Sequence, residues 1–264
     1  MVTKIAVITG ASSGIGMELA HLLAASGNDL ILTARRVEPL QVLADDLHKK
    51  FGVTTNVIRM DMALPFAGEE LWKEISAIAP DIDVLVNNAG VGDSGDFAAE
   101  TPEVIERMIH LNISTLTSLT RRALPGMIAR KRGKILNVAS LAGFQPGGPG
   151  MAVYYASKSY VLSFSRAIRR ELRGSGVTVT ALCPGPTRTG FEDAAGAQET
   201  RLFHWSKPMQ ARDVAQAGYK GMLRGCAVVV PGLLNKLLAV SAGLSPSFVA
   251  LEINRFLLAK RDKG

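Results

Sequence analysis

A doubly wound α/β fold, one parallel sheet covered by helices on both faces, is the architecture this sequence predicts. Three observations carry the prediction. Short runs of β-branched and aliphatic residues are nearly continuous instead of alternating, as in strands buried on both faces. Longer amphipathic stretches separate these runs from one end of the chain to the other, which implies strand–helix–strand crossovers. Unusual residues also cluster directly after each run, at the carboxyl ends of strands, where such sheets bind ligands.

The elements follow in order. Lys4–Thr9 reads as the first strand and leads straight into the glycine-rich segment Thr9–Gly16. Asp29–Ala34 is the second, ending at Arg35-Arg36, with an amphipathic helix over Val37–Lys50. Val53–Met60 is the third and ends at Asp61; Ile82–Val86 is the fourth, followed by Asn87–Gly90. One long helix is predicted over Pro102–Arg130. Gly133–Ala139 ends at Ser140, and a helix follows over Ala152–Arg173. Val177–Cys183 ends at Pro184-Gly185, and Ala227–Val230 closes the sheet. Beyond it, Pro231 leads into Leu233–Leu244 and a last helix, Ser247–Lys260. The length of 264 residues admits one or two domains, but no linker, repeat or composition break divides the chain. A single domain over 1–264 is expected, with a core over about 3–230 and an extension over 231–264.

Composition removes several function classes. With 47% hydrophobic and 20% charged residues, the chain has ample material for a core and does not read as disordered. Its net charge of +7 favours anions, yet the basic residues are scattered and form no arm, so nucleic acid is not expected as a partner. Two cysteines, Cys183 and Cys226, cannot build a disulfide framework and lack metal-ligand spacing, and the four histidines are unpaired; no metal site is expected. A reducing, cytoplasmic location fits. The strand-like Met1–Thr9 leaves no room for a cleavable leader ahead of Gly10. The stretch Leu237–Leu251 is too short and too interrupted, by Gly243, Ser245 and Pro246, to be a transmembrane segment.

Thr9-Gly10-Ala11-Ser12-Ser13-Gly14-Ile15-Gly16 joins a strand directly to a helix. Glycines permit a tight turn and close approach to a pyrophosphate, and the helix start offers unpaired N–H groups and a positive dipole end. The spacing Gly-x-x-x-Gly-x-Gly differs from the usual dinucleotide fingerprint. Charge speaks to the cofactor. An NAD site places an acid about 20 residues on, for the ribose 2′-hydroxyl. Here the second strand ends instead in Arg35-Arg36, a guanidinium pair suited to a 2′-phosphate. NADP is expected over NAD. Further on, Tyr154-Tyr155-Ala156-Ser157-Lys158 puts Tyr154 and Lys158 four residues apart, on one helix face.

These motifs together resemble the short-chain dehydrogenase/reductase family, an oxidoreductase family with a Rossmann fold. Thr9–Gly16, Asn87-Asn88-Ala89-Gly90, Asn112, Ser140, Tyr154/Lys158 and Pro184-Gly185 match its pattern in order, over about residues 3 to 230. The resemblance implies Tyr154 as general acid/base, Lys158 as its activator, Ser140 as the carbonyl-orienting hydroxyl and Asn112 as part of a proton relay. It implies a cofactor site at Gly10, Ser12, Ser13, Gly14, Ile15, Gly16, Arg35, Arg36, Asp61, Met62, Asn88, Ala89, Gly90, Tyr154, Lys158, Pro184, Gly185, Thr187 and Thr189. Within that set Asp61 would meet the adenine amine, or else cap a helix before Pro65; Thr189 would reach the carboxamide. Asn87 would contact the cofactor and Asn88 would also serve structure. Physically, a tyrosine of pKa about 10 is a poor base at neutral pH, and an ammonium within about 4–6 Å lowers it by roughly 1–3. The oxidised nicotinamide adds a second positive charge, so a Tyr154 depressed by these two cations together is expected. Tyr155 is off the spacing, and Ser157 and Ser159 read as ordinary helix residues.

The reaction implied is hydride transfer between NADP(H) and a carbonyl/alcohol substrate, with a small-molecule partner and a homo-oligomer, dimer or tetramer. Two alternatives stay open: a β-ketoacyl reductase serving an acidic carrier protein, and a non-catalytic NADP-binding sensor or scaffold. The sequence also departs from the family twice. Gln145–Gly150 is rich in glycine and proline and implies a longer loop, with Phe144, Met151 and Val153 making the substrate mouth apolar. The extension past Pro231 is expected to pack on the core or on a partner subunit, with a lid over the pocket or contact with a membrane surface as alternatives. A lid setting substrate choice is expected over Gly190–Met209, which carries Phe191, Phe203, His204 and Trp205.

Overall fold

The computed structural model describes residues 4–191, 195–196, 198, 200–202 and 207–259. The expected strands form one parallel sheet: β1 (Lys4–Thr9), β2 (Asn28–Ala34), β3 (Thr55–Arg59), β4 (Val84–Asn87), β5 (Gly133–Val138) and β6 (Val177–Leu182), joined later by β9 (Val228–Val229). Their order is β3-β2-β1-β4-β5-β6-β9. The direction of winding therefore reverses between β1 and β4, which pair in register Ala6↔Val84 to Ile8↔Val86. A crevice opens at such a switch point, outside the carboxyl ends of the strands.

Both faces are covered, as the unbroken apolar runs require. Helices α1 (Gly14–Ala25) and α2 (Val37–Phe51) lie on one face. Their Leu19, Leu23, Leu40 and Leu47 pack against Ile8, Leu32 and Val86 of the sheet. The other face carries α3 (Ala67–Ile78), α4 (Pro102–Ile109), α5 (Leu116–Ala129) and α6 (Ala152–Glu171). There Leu71, Ile75, Leu119, Met127 and Ile168 meet Val7, Ile31, Leu85, Ile135 and Val179. The strand side chains alternate between these two cores, so a register slip of one residue would exchange them.

Past β6, two-residue strands β7 (Thr187–Arg188) and β8 (Met209–Gln210) pair in parallel, and α7 (Ala211–Leu223) packs beside α1. Helices α8 (Leu233–Leu244) and α9 (Ser247–Leu258) form the extension. Lys260, expected at the end of the last helix, lies outside the described residues. One prediction needs correction: Pro102–Arg130 is not one regular helix. Between α4 and α5, His110–Thr115 forms a widened π-type turn. Such insertions occur at functional sites, and hydrophobic periodicity does not reveal them.

Candidate active site

At the tip of β1, the Thr9 hydroxyl accepts the N–H groups of both Asn88 and Ala89 at 3.0 Å. The Asn88 amide returns two bonds of 3.0 Å to the carbonyls of Thr9 and Gly10. The loops after β1 and β4 are thereby fastened together across the switch point. Gly10 takes a φ of 66°, and a Cβ there would stand 2.8 Å from Ala89 Cα, so glycine is required twice over. A Cβ on Gly16 would run into the Asn88 amide and the Gly10 carbonyl. Gly14 lies under Thr189, whose Cβ would meet an added Cβ at 2.8 Å. Ser13 caps α1 without a side-chain bond, and no acid occupies the first turn. The positive end of α1, with the backbone of Ser12 to Gly16, is left facing an anion.

Arg35 and Arg36 follow β2, exposed, and neither forms an ion pair among the described residues. Asp61, after β3, is engaged at both oxygens: it accepts from Ala63 N–H at 3.1 Å and from Arg107 at 2.8 Å. Burial works to raise its pKa, but the Arg107 and Ala63 hydrogen bonds and the charges of Arg107 and Arg35 outweigh it and hold the carboxyl below its ordinary value. Asp61 thus caps a turn at Ala63 and pairs with Arg107, whereas the N-cap of α3 is Phe66. Met62 is buried in the second core, and its carbonyl accepts from Thr115 at 2.9 Å. Asn87 is also an interior residue: its amide donates to Thr120 and Asn137, so cofactor contact through that side chain does not hold.

Four residues from three elements converge beyond β4 and β5. The π-type turn directs Asn112 inward, 1% exposed, where it clamps the Val91 backbone at N–H (3.0 Å) and C=O (2.9 Å). Its amide also donates to Ser157 at 3.0 Å, and Ser157 donates to the Tyr154 carbonyl at 2.7 Å. Ser157 therefore ties the turn to α6. Sequence reading missed this role, and no spacing signal announces it. Lys158 is buried, donates to the Val138 carbonyl at 3.1 Å and holds Nζ 5.7 Å from the Tyr154 ring centre. Gly90 separates Lys158 from Asn112: a Cβ there would come within 3.2 Å of Nζ and 3.3 Å of Asn112 Oδ1. Ser140 begins the short turn Leu141–Phe144, accepting from Ala142 N–H at 3.1 Å, and is hydrogen-bonded with Tyr154.

The electrostatics depart from expectation. Burial raises the Tyr154 pKa, and the hydrogen bond with Ser140 only partly opposes this. Burial also lowers Lys158 to about 8. Desolvation disfavours both charged forms, and the Lys158 ammonium is spent on the Val138 carbonyl, so within the protein the tyrosine is not depressed.

Around Tyr154 the packing is apolar: Phe191 sits with its ring centre 5.4 Å from that of Tyr154, and Met151, Tyr155 and Leu258 form a buried cluster against which Tyr154 and Leu202 pack. Phe144 does not belong to it; that ring sits under Arg166 at 5.4 Å. The loop Gln145–Gly150 is pinned by the extension, since Asn254 of α9 donates to the Gly147 carbonyl at 2.7 Å. The extension thus packs on the core and, through Leu258, joins this cluster. On the other side, Leu141 N–H bonds the Pro184 carbonyl at 2.8 Å, Gly185 packs against Asn235 of α8, and Thr187 donates to the Gly185 carbonyl at 2.8 Å. A cleft of about 670 Å³ runs beside Gly14 between Glu18, Arg188 and Thr189, next to the phosphate end and away from Tyr154. Phe203, His204 and Trp205 of the expected lid lie outside the described residues. Among those described, no cluster of metal-binding side chains occurs.

The short chain dehydrogenase family model matches residues 4–200, which span every group just described up to Thr189. The chain belongs to this family. It is an oxidoreductase acting on a CH–OH or C=O group. This dehydrogenase is 34% identical over 226 residues to an uncharacterized oxidoreductase of Myxococcus xanthus, 86% of each chain. It is 37% identical over 185 residues to the very-long-chain 3-oxoacyl-CoA reductase of Anas platyrhynchos, 68% of this chain but only 58% of that longer protein. Its fold matches a short-chain dehydrogenase from Sphingobium yanoikuyae solved in complex with NADPH, with a TM-score of 0.81 and 34% identity over 91% of this chain and 94% of that one.

Proposed function

We propose that this dehydrogenase is an NADP(H)-dependent reductase of apolar ketones or aldehydes, with Tyr154 as proton donor. The observation that carries the reading is the convergence of Ser140, Tyr154, Lys158 and Asn112 beside an apolar cluster. The remaining residues fit the cofactor: glycines tight enough to admit no Cβ, an uncapped positive helix end, and an acid-free β2 tip with two exposed arginines. Backbone N–H groups of Ser12 to Gly16 would hold the pyrophosphate, and Arg35 and Arg36 the 2′-phosphate. Asn88, Ala89 and Gly90 would line the ring system, with Pro184, Gly185, Thr187 and Thr189 on the other side. When bound, the reduced nicotinamide supplies the hydride.

The chain's own residues supply the rest. Ser140 donates a hydrogen bond to the carbonyl oxygen and orients it. Tyr154, kept protonated by burial, donates its proton to that oxygen as the carbon accepts the hydride, giving the alcohol and a phenolate. The Lys158 ammonium stabilises the phenolate until it is reprotonated. Asn112, through Val91 and Ser157, fixes the geometry of α6 at that point. Phe191, Met151, Leu202 and Leu258 exclude water and select an apolar substituent.

A 3-oxoacyl substrate is the second reading, favoured by the similarity to the 3-oxoacyl-CoA reductase. A cytoplasmic homo-oligomer is the companion reading, supported by two unpaired cysteines and by Val104, Ile109 and Ile128 exposed on α4 and α5. The test is separate titration of NADPH and NADH at fixed ionic strength, with wild type and Arg35→Ala/Arg36→Ala. NADPH is expected to bind at least about tenfold tighter than NADH, and the double variant to lose that margin. Equal binding by the wild type would reject the phosphate site.

A further inference from the structure

Helix α8 is inside out. Its half-buried positions are Asn235, Ala239 and Ala242, one face at helical spacing, with Asn235 set against Gly185. Its opposite face carries Leu233, Leu234, Leu237, Leu238 and Val240, which are 75%, 69%, 61%, 43% and 65% exposed. Among the described side chains of α8, none is buried. Helix α9 continues the surface. Ala250, Asn254 and Leu258 face the fold, while Phe248 is 73% and Ile253 53% exposed. Exposed apolar side chains clustered along a helix face in this way mark a contact with something else.

We propose that the outward face of α8 and α9 docks on an anionic lipid surface. Charge selects the occupant. Residues 231–264 hold five basic side chains (Lys236, Arg255, Lys260, Arg261 and Lys263) against Glu252 and Asp262, a net of +3. Lys236 is exposed on the flank of the leucine face, one step of the helix from Val240. A headgroup layer accommodates such a lysine, because its stem lies along the apolar surface while the ammonium reaches phosphate. A second copy of this chain would not. Helix α8 contains no acid, and the one carboxylate of α9, Glu252, is already paired with Arg255 at 2.9 Å. Two copies packed through these leucines would bury two lysines without partners, which is costly. No helix among the described residues is long and apolar enough to cross a membrane, so the contact is one of lying on the surface.

The test is co-sedimentation of the full chain with phosphatidylcholine vesicles, with and without phosphatidylglycerol, alongside light scattering for oligomeric state. Wild type is expected to bind the anionic vesicles, and less at high salt. Leu234→Ser/Leu238→Ser is expected to weaken partitioning by at least about tenfold while NADPH binding and circular dichroism are unchanged. Lys236→Glu is expected to remove the preference for phosphatidylglycerol. In Phe248→Trp, vesicles should shift the indole emission to the blue. Wild type remaining in the supernatant with both vesicles would overturn the proposal, as would serine variants that bind like wild type. A variant that dissociates an oligomer while wild type ignores vesicles would assign the face to a second copy.

Discussion

Replacing Lys158 with methionine separates the energetic cost of the active-site lysine from its chemical use. Lys158 is 5% exposed and donates to the Val138 carbonyl; among the described residues no carboxylate pairs with it. Burial lowers its pKa from 10.5 to about 8. The folded value lies below the unfolded one, so the unfolded chain binds more protons between the two. Stability therefore rises with pH through that window, and the full penalty applies below about pH 8. A fall of this size costs roughly 3 kcal/mol at pH 7 and leaves under about 1 kcal/mol at pH 10. Methionine carries no charge and escapes the penalty, while losing the bond to Val138, worth about 1.5–3 kcal/mol. The two terms nearly cancel at neutral pH. The decisive quantity is the difference between the proteins: wild type should gain about 2–3 kcal/mol on the variant from pH 7 to pH 10. Urea unfolding followed by circular dichroism at both pH values measures it, and carbonyl reduction by the variant should be lost. A stability difference that is the same at both pH values would refute the reasoning.

Two further substitutions probe the geometry. Gly90→Ala introduces a methyl 3.2 Å from Lys158 Nζ and 3.3 Å from Asn112 Oδ1; it should cut kcat by at least about tenfold with little change in melting temperature, read by steady-state kinetics and thermal unfolding. Ser157→Ala leaves the Asn112 amide short of a partner and should cost about 1–3 kcal/mol of stability; unfolding in urea measures this, and loss of kcat with KM retained would identify Ser157 as a positioning residue.

Much of this molecule is legible in its sequence because the same residues carry several signals at once. The aliphatic run Lys4–Thr9 and its glycine turn announce a strand and its end, and the structure places them at the switch point, with Arg35-Arg36 one strand away at the tip of β2. Helical spacing puts Tyr154 and Lys158 on one face, and the resemblance carried by the other motifs gives them their roles. What escaped depends on contacts between distant segments. The π-type turn at His110–Thr115 changes backbone winding without altering the apolar pattern, so although the family resemblance names Asn112, nothing in the spacing shows that it clamps Val91. Ser157 looks like filler in α6, yet links Asn112 to Tyr154. The raised Tyr154 pKa follows from burial, which no spacing reports. The leucines of α8 mislead in the opposite sense, since an apolar helical pattern ordinarily points inward.

The most direct test of the central claim is Tyr154→Phe, which removes one hydroxyl and keeps the ring against Phe191. NADPH binding should be unchanged, and reduction of an apolar ketone should fall by at least about 10²–10⁴. Full turnover by the phenylalanine variant would contradict the assignment of Tyr154 as proton donor and the mechanism built on it.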